Sequence, residues 1–102
     1  MHKVYLPTKN DRYDASLAEE YGEILLLYEG HLNPFNTDEC VHLITQAFKL
    51  NKFDCDNDYI CMTGQSLILS FTLAIAISLY GKVNLLLFDA TTNKYRCRKL
   101  CL

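Results

Sequence analysis

The sequence has no excess of positive charge. Its 102 residues carry 10 lysines and arginines against 12 aspartates and glutamates, a net charge of −2. Non-specific binding to duplex nucleic acid needs clustered cations to neutralise phosphates, so duplex nucleic acid is not an expected partner. A local basic strip, Lys94, Arg96, Arg98 and Lys99, reads as the solvated face of a strand. No apolar run is long enough for a membrane. The longest, Leu67 to Tyr80, spans about 14 residues where a span needs about 20, and Ser70, Thr72 and Ser78 interrupt it. A buried helix is expected there, and no membrane contact.

The five cysteines (Cys40, Cys55, Cys61, Cys97 and Cys101) form no CxxC pair and no zinc-ligand spacing. No signal-peptide pattern opens the chain, because Met1-His2-Lys3 runs directly into Val4-Tyr5-Leu6. Reduced thiols in a cytoplasm are therefore expected, with no metal and no cofactor. There is no P-loop, no GxGxxG fingerprint, no internal repeat and no low-complexity segment. Half the residues are apolar and 22% are charged, which excludes disorder and fits one globular domain over residues 1–102.

What the sequence does contain is clearest from Asp58 to Asp89. It reads as strand, Thr-Gly turn, apolar helix, glycine stop and strand, a βαβ unit. Around it, Lys3 to Leu6 reads as a first strand ended by Pro7. Ser16 and Glu19 fit a capping box opening a short helix that closes near Gly22. The continuous apolar run at residues 23–29 reads as a strand buried on both faces. Asn36 caps a helix from Thr37 to about Leu50, with Asp38 and Glu39 favoured in its first turn and Val41, Ile44, Ala47 and Phe48 facing the sheet. Tyr59 to Met62 and Val83 to Phe88 read as further strands, and Lys94 to Leu100 as an antiparallel edge strand with one wet face. Cys61 falls in the central strand as a small core residue.

The expected fold is therefore an α/β sandwich, small and single-domain. It is Rossmann-like, with a mainly parallel central sheet and an antiparallel C-terminal edge strand. The helix from Leu67 to Tyr80 is apolar nearly all round, where a helix on one sheet face needs only a stripe. Its second face is expected to be covered by another subunit or by a neighbouring helix.

Ligands of open α/β sheets bind at the carboxyl ends of strands, and Thr63-Gly64-Gln65-Ser66 lies at such an end and opens a helix. Gly64 lets backbone approach a ligand, while Thr63, Gln65 and Ser66 offer polar side chains. The structural alternative is a helix cap by Thr63 or Ser66 with Gly64 making the turn. The loop His31 to Asn36 reaches the same edge if its strand and that of Tyr59 to Met62 are neighbours and parallel, which would place Asn33 and Asn36 at the rim of one pocket. The alternative there is a rigid, proline-fixed helix entry. His31 with Asp38 is an imaginable acid–base pair, Asp14 a weaker rim residue, and Cys97 between two arginines a weak nucleophile candidate. Each is more simply an exposed loop or strand residue.

The ordered pieces Asp14-Ala15, Tyr21-Gly22-Glu23-Ile24, Asn33-Pro34-Phe35-Asn36-Thr37, Asp58-Tyr59-Ile60, Thr63-Gly64 and Gly81-Lys82-Val83-Asn84-Leu85-Leu86 resemble a set of small bacteriophage-encoded α/β proteins. That resemblance implies a role in an infected bacterial cytoplasm and brings no activity with it. Asp58 to Asp89 alone is similar to the ligand-binding half of domains that sense cyclic oligoadenylates in CRISPR systems. Those domains carry Thr-Gly-Gly-Thr-Lys, whereas Gln65 stands here for the second glycine and Leu67 for the lysine.

The leading functional expectation is a homo-oligomeric phage accessory protein. It would bind a small anionic ligand, such as a nucleotide signal of host defence, through Thr63, Gly64, Gln65 and Ser66 with Asn33 and Asn36 at the rim, and act by sequestration. The alternative is a module that inhibits or recruits a host protein through the strand edge and Arg96/Arg98. A small cyclic-nucleotide hydrolase ranks third, because no coherent catalytic or metal constellation is legible.

Overall fold

Two kinds of apolar pattern alternate along the chain, and they fold into strands and helices in turn. A computed structural model describes residues 2–8 and 15–102. The strands are β1 (Lys3–Leu6), β2 (Glu23–Leu26), β3 (Tyr59–Cys61), β4 (Lys82–Asp89) and β5 (Lys94–Cys101). A 3₁₀ helix, Ala15–Tyr21, joins β1 to β2, while α1 (Thr37–Leu50) and α2 (Ser66–Tyr80) follow β2 and β3. The five strands form one sheet in the order β2-β1-β3-β4-β5. The first four are mutually parallel, and β5 returns antiparallel along the whole of β4, from Lys82 opposite Cys101 to Asp89 opposite Lys94. The fold is the expected single α/β domain, and its parallel strands follow the flavodoxin-type doubly wound order.

That order decides where the helices lie. The chain steps outward from β1 to β2, then crosses back over β1 to β3 and on to β4. Right-handed crossovers put connections of opposite direction on opposite faces. One face accordingly packs Ile44, Ala47 and Phe48 of α1 and Ile68, Ile75 and Ala76 of α2 on Tyr5, Ile60, Val83 and Leu85. The other packs Ala18 and Tyr21 of the 3₁₀ helix near Val4, Cys61, Leu86 and Tyr95. On the first face, Phe53 lies between Phe48 and Tyr80 at ring-centroid distances of 5.0 and 5.4 Å, a compact aromatic cluster over the sheet.

Local chemistry sets the helix ends. Asn36 Oδ1 accepts from the Glu39 N–H at 3.2 Å, and its amide donates to the Glu39 carboxylate at 2.8 Å, the expected cap of α1. At the other end the Asn51 amide donates to the Ala47 and Leu27 carbonyls, fastening α1 to the chain leaving β2. The Gly81 N–H closes α2 on the Ile77 carbonyl. Asp58 ties the amino ends of the strands together. Its buried carboxylate accepts the Lys3 N–H at 3.1 Å and the Asp54 N–H at 2.9 Å.

Several local expectations need correction. The run at residues 23–29 gives a strand only over Glu23–Leu26, and it is a half-buried edge strand rather than a central one. Continuous apolarity signals burial, but here Leu25 and Tyr28 rest against the core only partly. The short helix spans Ala15–Tyr21, with Ser16 within its first turn. Val41 is exposed, and Cys40 takes the buried position in the first turns of α1. Leu87 and Phe88 at the end of β4 lie exposed beyond the cover of the helices. The apolar excess of α2 has a source within the chain, because α1 packs alongside it. Phe71, Leu73, Ile77 and Tyr80 are partly buried against the core, leaving Leu67 and Leu79 with Ser66, Ser70, Ala74 and Ser78 exposed.

Candidate functional site

The reversal of winding direction at β1 opens a crevice beyond the carboxyl ends of β1 and β3, where open α/β sheets bind ligands. A cleft of about 480 Å³ lies there. Thr8, two residues past β1, contributes to its wall. The chain beyond β2 supplies Glu29, Gly30, His31, Leu32 and Pro34, and the turn beyond β3 supplies Gln65 and Ile68. The two loops expected to share an edge do so. Their strands are not neighbours, however, since β1 lies between β2 and β3.

The turn into α2 has a definite geometry. Gly64 sits at φ 128°, a conformation that side-chain-bearing residues rarely adopt. Gln65, rather than Thr63 or Ser66, is the cap: its side-chain oxygen accepts the Ile68 N–H at 2.8 Å, and its carbonyl accepts the Leu69 N–H at 3.0 Å. Among the described residues, the N–H groups of Ser66 and Leu67 come before these bonds and are the open donors at this end of the helix. Thr63 is buried, with its hydroxyl 3.8 Å from the Cys61 sulfur. Burial raises the pKa of the Cys61 thiol above the ordinary range, so it sits there as a neutral core group.

Of the six residues expected to bind a ligand, Gln65 is on the cleft wall. Gly64 and Ser66 flank it along the chain. Asn33 folds its side-chain oxygen onto the Phe35 N–H at 3.0 Å, and Asn36 is committed to the α1 cap, so both amides serve the loop itself. Between them Pro34 reaches the cleft, and Phe35 stands 92% exposed beside it. No hydrogen bond or ion pair joins His31 to Asp38 among the described residues. Asp14 lies outside the described residues. Cys97 is half-buried in β5 on the face of the 3₁₀ helix.

The charge of the cleft differs from that of a simple anion trap. Glu29 and His31 line it, and no lysine or arginine does among the described residues. The cleft therefore offers backbone donors at the α2 end, a carboxylate acceptor at the β2 end, and an exposed aromatic ring near the rim. Thr8, Glu29, Leu32 and Ile68 were not legible as lining residues, because their role follows from strand order. No group of three or more histidine, cysteine or acidic residues suited to a metal occurs among the described residues, and no described helix is long and apolar enough to cross a membrane.

A family model described as Phage Pam3 gp32-like protein matches residues 2–100. No curated protein and no solved structure matches the chain.

Proposed function

Since the chain belongs to the phage Pam3 gp32-like family, we propose that it is a small phage accessory protein of the host cytoplasm. On this proposal it holds a small anionic ligand in the switch-point cleft and acts by sequestration. The observation that carries this proposal is the cleft itself, which lies where the winding of the sheet reverses and has Gln65, next to the Gly64 turn, on its wall. The phosphate or carboxylate of the ligand sits at the Gly64–Ser66 turn against the first N–H groups of α2. Thr63 and Gln65 shape that turn, and Asn33 and Asn36 hold the rim loop.

Glu29 adds a requirement. A bare anion meets a carboxylate on the opposite wall, so the favoured ligand carries a hydrogen-bond donor as well. A nucleotide does, through the amino group of its base, and its base has a flat face for Phe35. On this proposal a nucleotide immune signal is the leading choice, in keeping with the resemblance read from the sequence of Asp58 to Asp89, in which Leu67 stands where the sensing domains carry a lysine. Self-association belongs to the same proposal, through the exposed outer face of α2 with Leu67 and Leu79.

A second proposal rests on β5. This edge strand presents Arg96 and Arg98 on one face beside the exposed Leu87, a surface suited to a host protein. One experiment tests the first. Calorimetric titration with adenosine monophosphate, cyclic tetra-adenylate and inorganic phosphate is run on the wild type and on Ser66→Glu. A carboxylate in the first turn suits the helix dipole but repels a bound anion. Nucleotide binding that weakens at least about tenfold in Ser66→Glu, with folding intact, supports the cleft. No heat with any of the three probes refutes it.

A further inference from the structure

At the opposite end of the sheet, two cysteines separated by most of the second half of the chain line the same cleft. Cys55 lies in the turn between α1 and β3, and Cys101 is the last residue of β5. Both line one cleft of about 140 Å³, together with Asp56, Lys82, Asn84 and Lys99. The packing that brings them there is specific. Asp56 forms an ion pair with Lys82, and its carbonyl accepts from the Asn84 amide at 3.3 Å. These contacts pin the turn carrying Cys55 onto the start of β4. Lys82 is paired across the sheet with Cys101, and Asn84 with Lys99. Asp54 stiffens the same turn by accepting from the Asp56 and Asn57 backbone N–H groups and the Asn57 amide.

Reactive cysteines sit in accessible, electropositive surroundings. Cys101 is exposed and Cys55 is half-buried, and their cleft holds Lys82, Lys99 and the one carboxylate of Asp56, which leaves it net positive. Lys99 has no ion-pair partner among the described residues. The hydrogen bond and charge of Asp56 raise the pKa of Lys82 above the ordinary lysine range, and the Cys55 and Cys101 sulfurs add smaller effects in the same direction. By contrast, Cys40 and Cys61 are buried.

We propose that Cys55 and Cys101 form a paired-thiol site that a hydroperoxide closes into an intramolecular disulfide. The exposed Cys101 thiolate attacks the peroxide, the O–O bond breaks, and the sulfur takes up OH as sulfenic acid while the departing oxygen leaves as hydroxide and is protonated to water. The Cys55 thiolate then attacks that sulfur. The S–S bond forms, the S–O bond breaks, and the second oxygen leaves as water. With hydrogen peroxide, two thiols lose two electrons and two protons in all, and one peroxide becomes two waters. The product staples the α1–β3 turn to the end of β5.

The test uses the full chain, reduced, desalted and treated with a slight excess of hydrogen peroxide. Digestion without reductant and mass spectrometry then identify the cross-linked peptides. The expected result is a monomeric product joining Cys55 to Cys101, a raised thermal midpoint, reversal by dithiothreitol, and no cross-link in Cys55→Ser or Cys101→Ser. Replacing both Lys82 and Lys99 by glutamine slows closure by about threefold or more. A cross-link between other cysteines, a disulfide-bonded dimer, or separate over-oxidation of the two thiols overturns the proposal. So does closure at an unchanged rate without the lysines.

Discussion

Replacing Asp58 should destabilise the protein more than any other substitution of a charged side chain among the described residues. Its carboxylate is buried and accepts two backbone N–H groups, Lys3 at 3.1 Å and Asp54 at 2.9 Å. A hydrogen bond to a charged group contributes about 1.5–3 kcal/mol, and a donor left unpaired in the interior loses its desolvation cost as well. Water reaches the half-buried Lys3 backbone, which offsets part of the loss. Asp58→Ala is therefore expected to cost about 3 kcal/mol, a fall in thermal midpoint of about 12–24 °C for a domain of this size. Asp58→Asn keeps one acceptor but turns an NH₂ toward the other donor, so it should lie between, at about 1.5 kcal/mol. Urea unfolding of the three proteins measures this, with similar slopes confirming that only stability has changed. If both variants fall within about 0.5 kcal/mol of wild type, the carboxylate does not hold the ends of β1 and β3 as described. The outcome bears on the cleft too, because the pairing of these strands places Thr8 and Gln65.

Two further outcomes follow from the packing. At Gly22, φ is +157° and an added Cβ would lie 2.4 Å from the His2 carbonyl oxygen. Gly22→Ala must push β1 and β2 apart and should lower stability by about 2 kcal/mol, measured by thermal unfolding; a loss under about 0.5 kcal/mol contradicts that contact. Native alkylation with iodoacetamide should label Cys101 first and Cys55 and Cys97 more slowly. Cys40 and Cys61, whose pKa values burial raises, should react only after unfolding; early labelling of either contradicts their place in the core.

The fold was legible in the sequence because both of its signals are local. Short apolar runs alternating with longer helical patterns give the element order, and Asn36 with Glu39 marks the start of α1 by side-chain chemistry alone. Where the outcome depended on neighbours, local signals were insufficient. A continuous apolar run cannot say whether its strand is central or at an edge, and β2 is shorter and less buried than its run suggests. Gln65 is not a favoured cap residue, yet its side chain accepts the Ile68 N–H directly after the Gly64 turn. The cleft was half legible. The Thr63–Ser66 turn and the loop after β2 were identified as sharing an edge, but Thr8 and Glu29 join them only once β1 is placed between β2 and β3. Strand order is a global property, and no spacing in the sequence encodes it.

The central claim is that the switch-point cleft takes a small ligand carrying both an anion and a hydrogen-bond donor. Backbone amide NMR during titration with cyclic tetra-adenylate tests it most directly, because it reports where binding occurs as well as whether it does. Saturable shifts concentrated at Gly64, Ser66 and Leu67 and at Glu29 and His31, with β5 unmoved, are the predicted result. Shifts confined to Lys94–Cys101, or none at millimolar ligand, would contradict it.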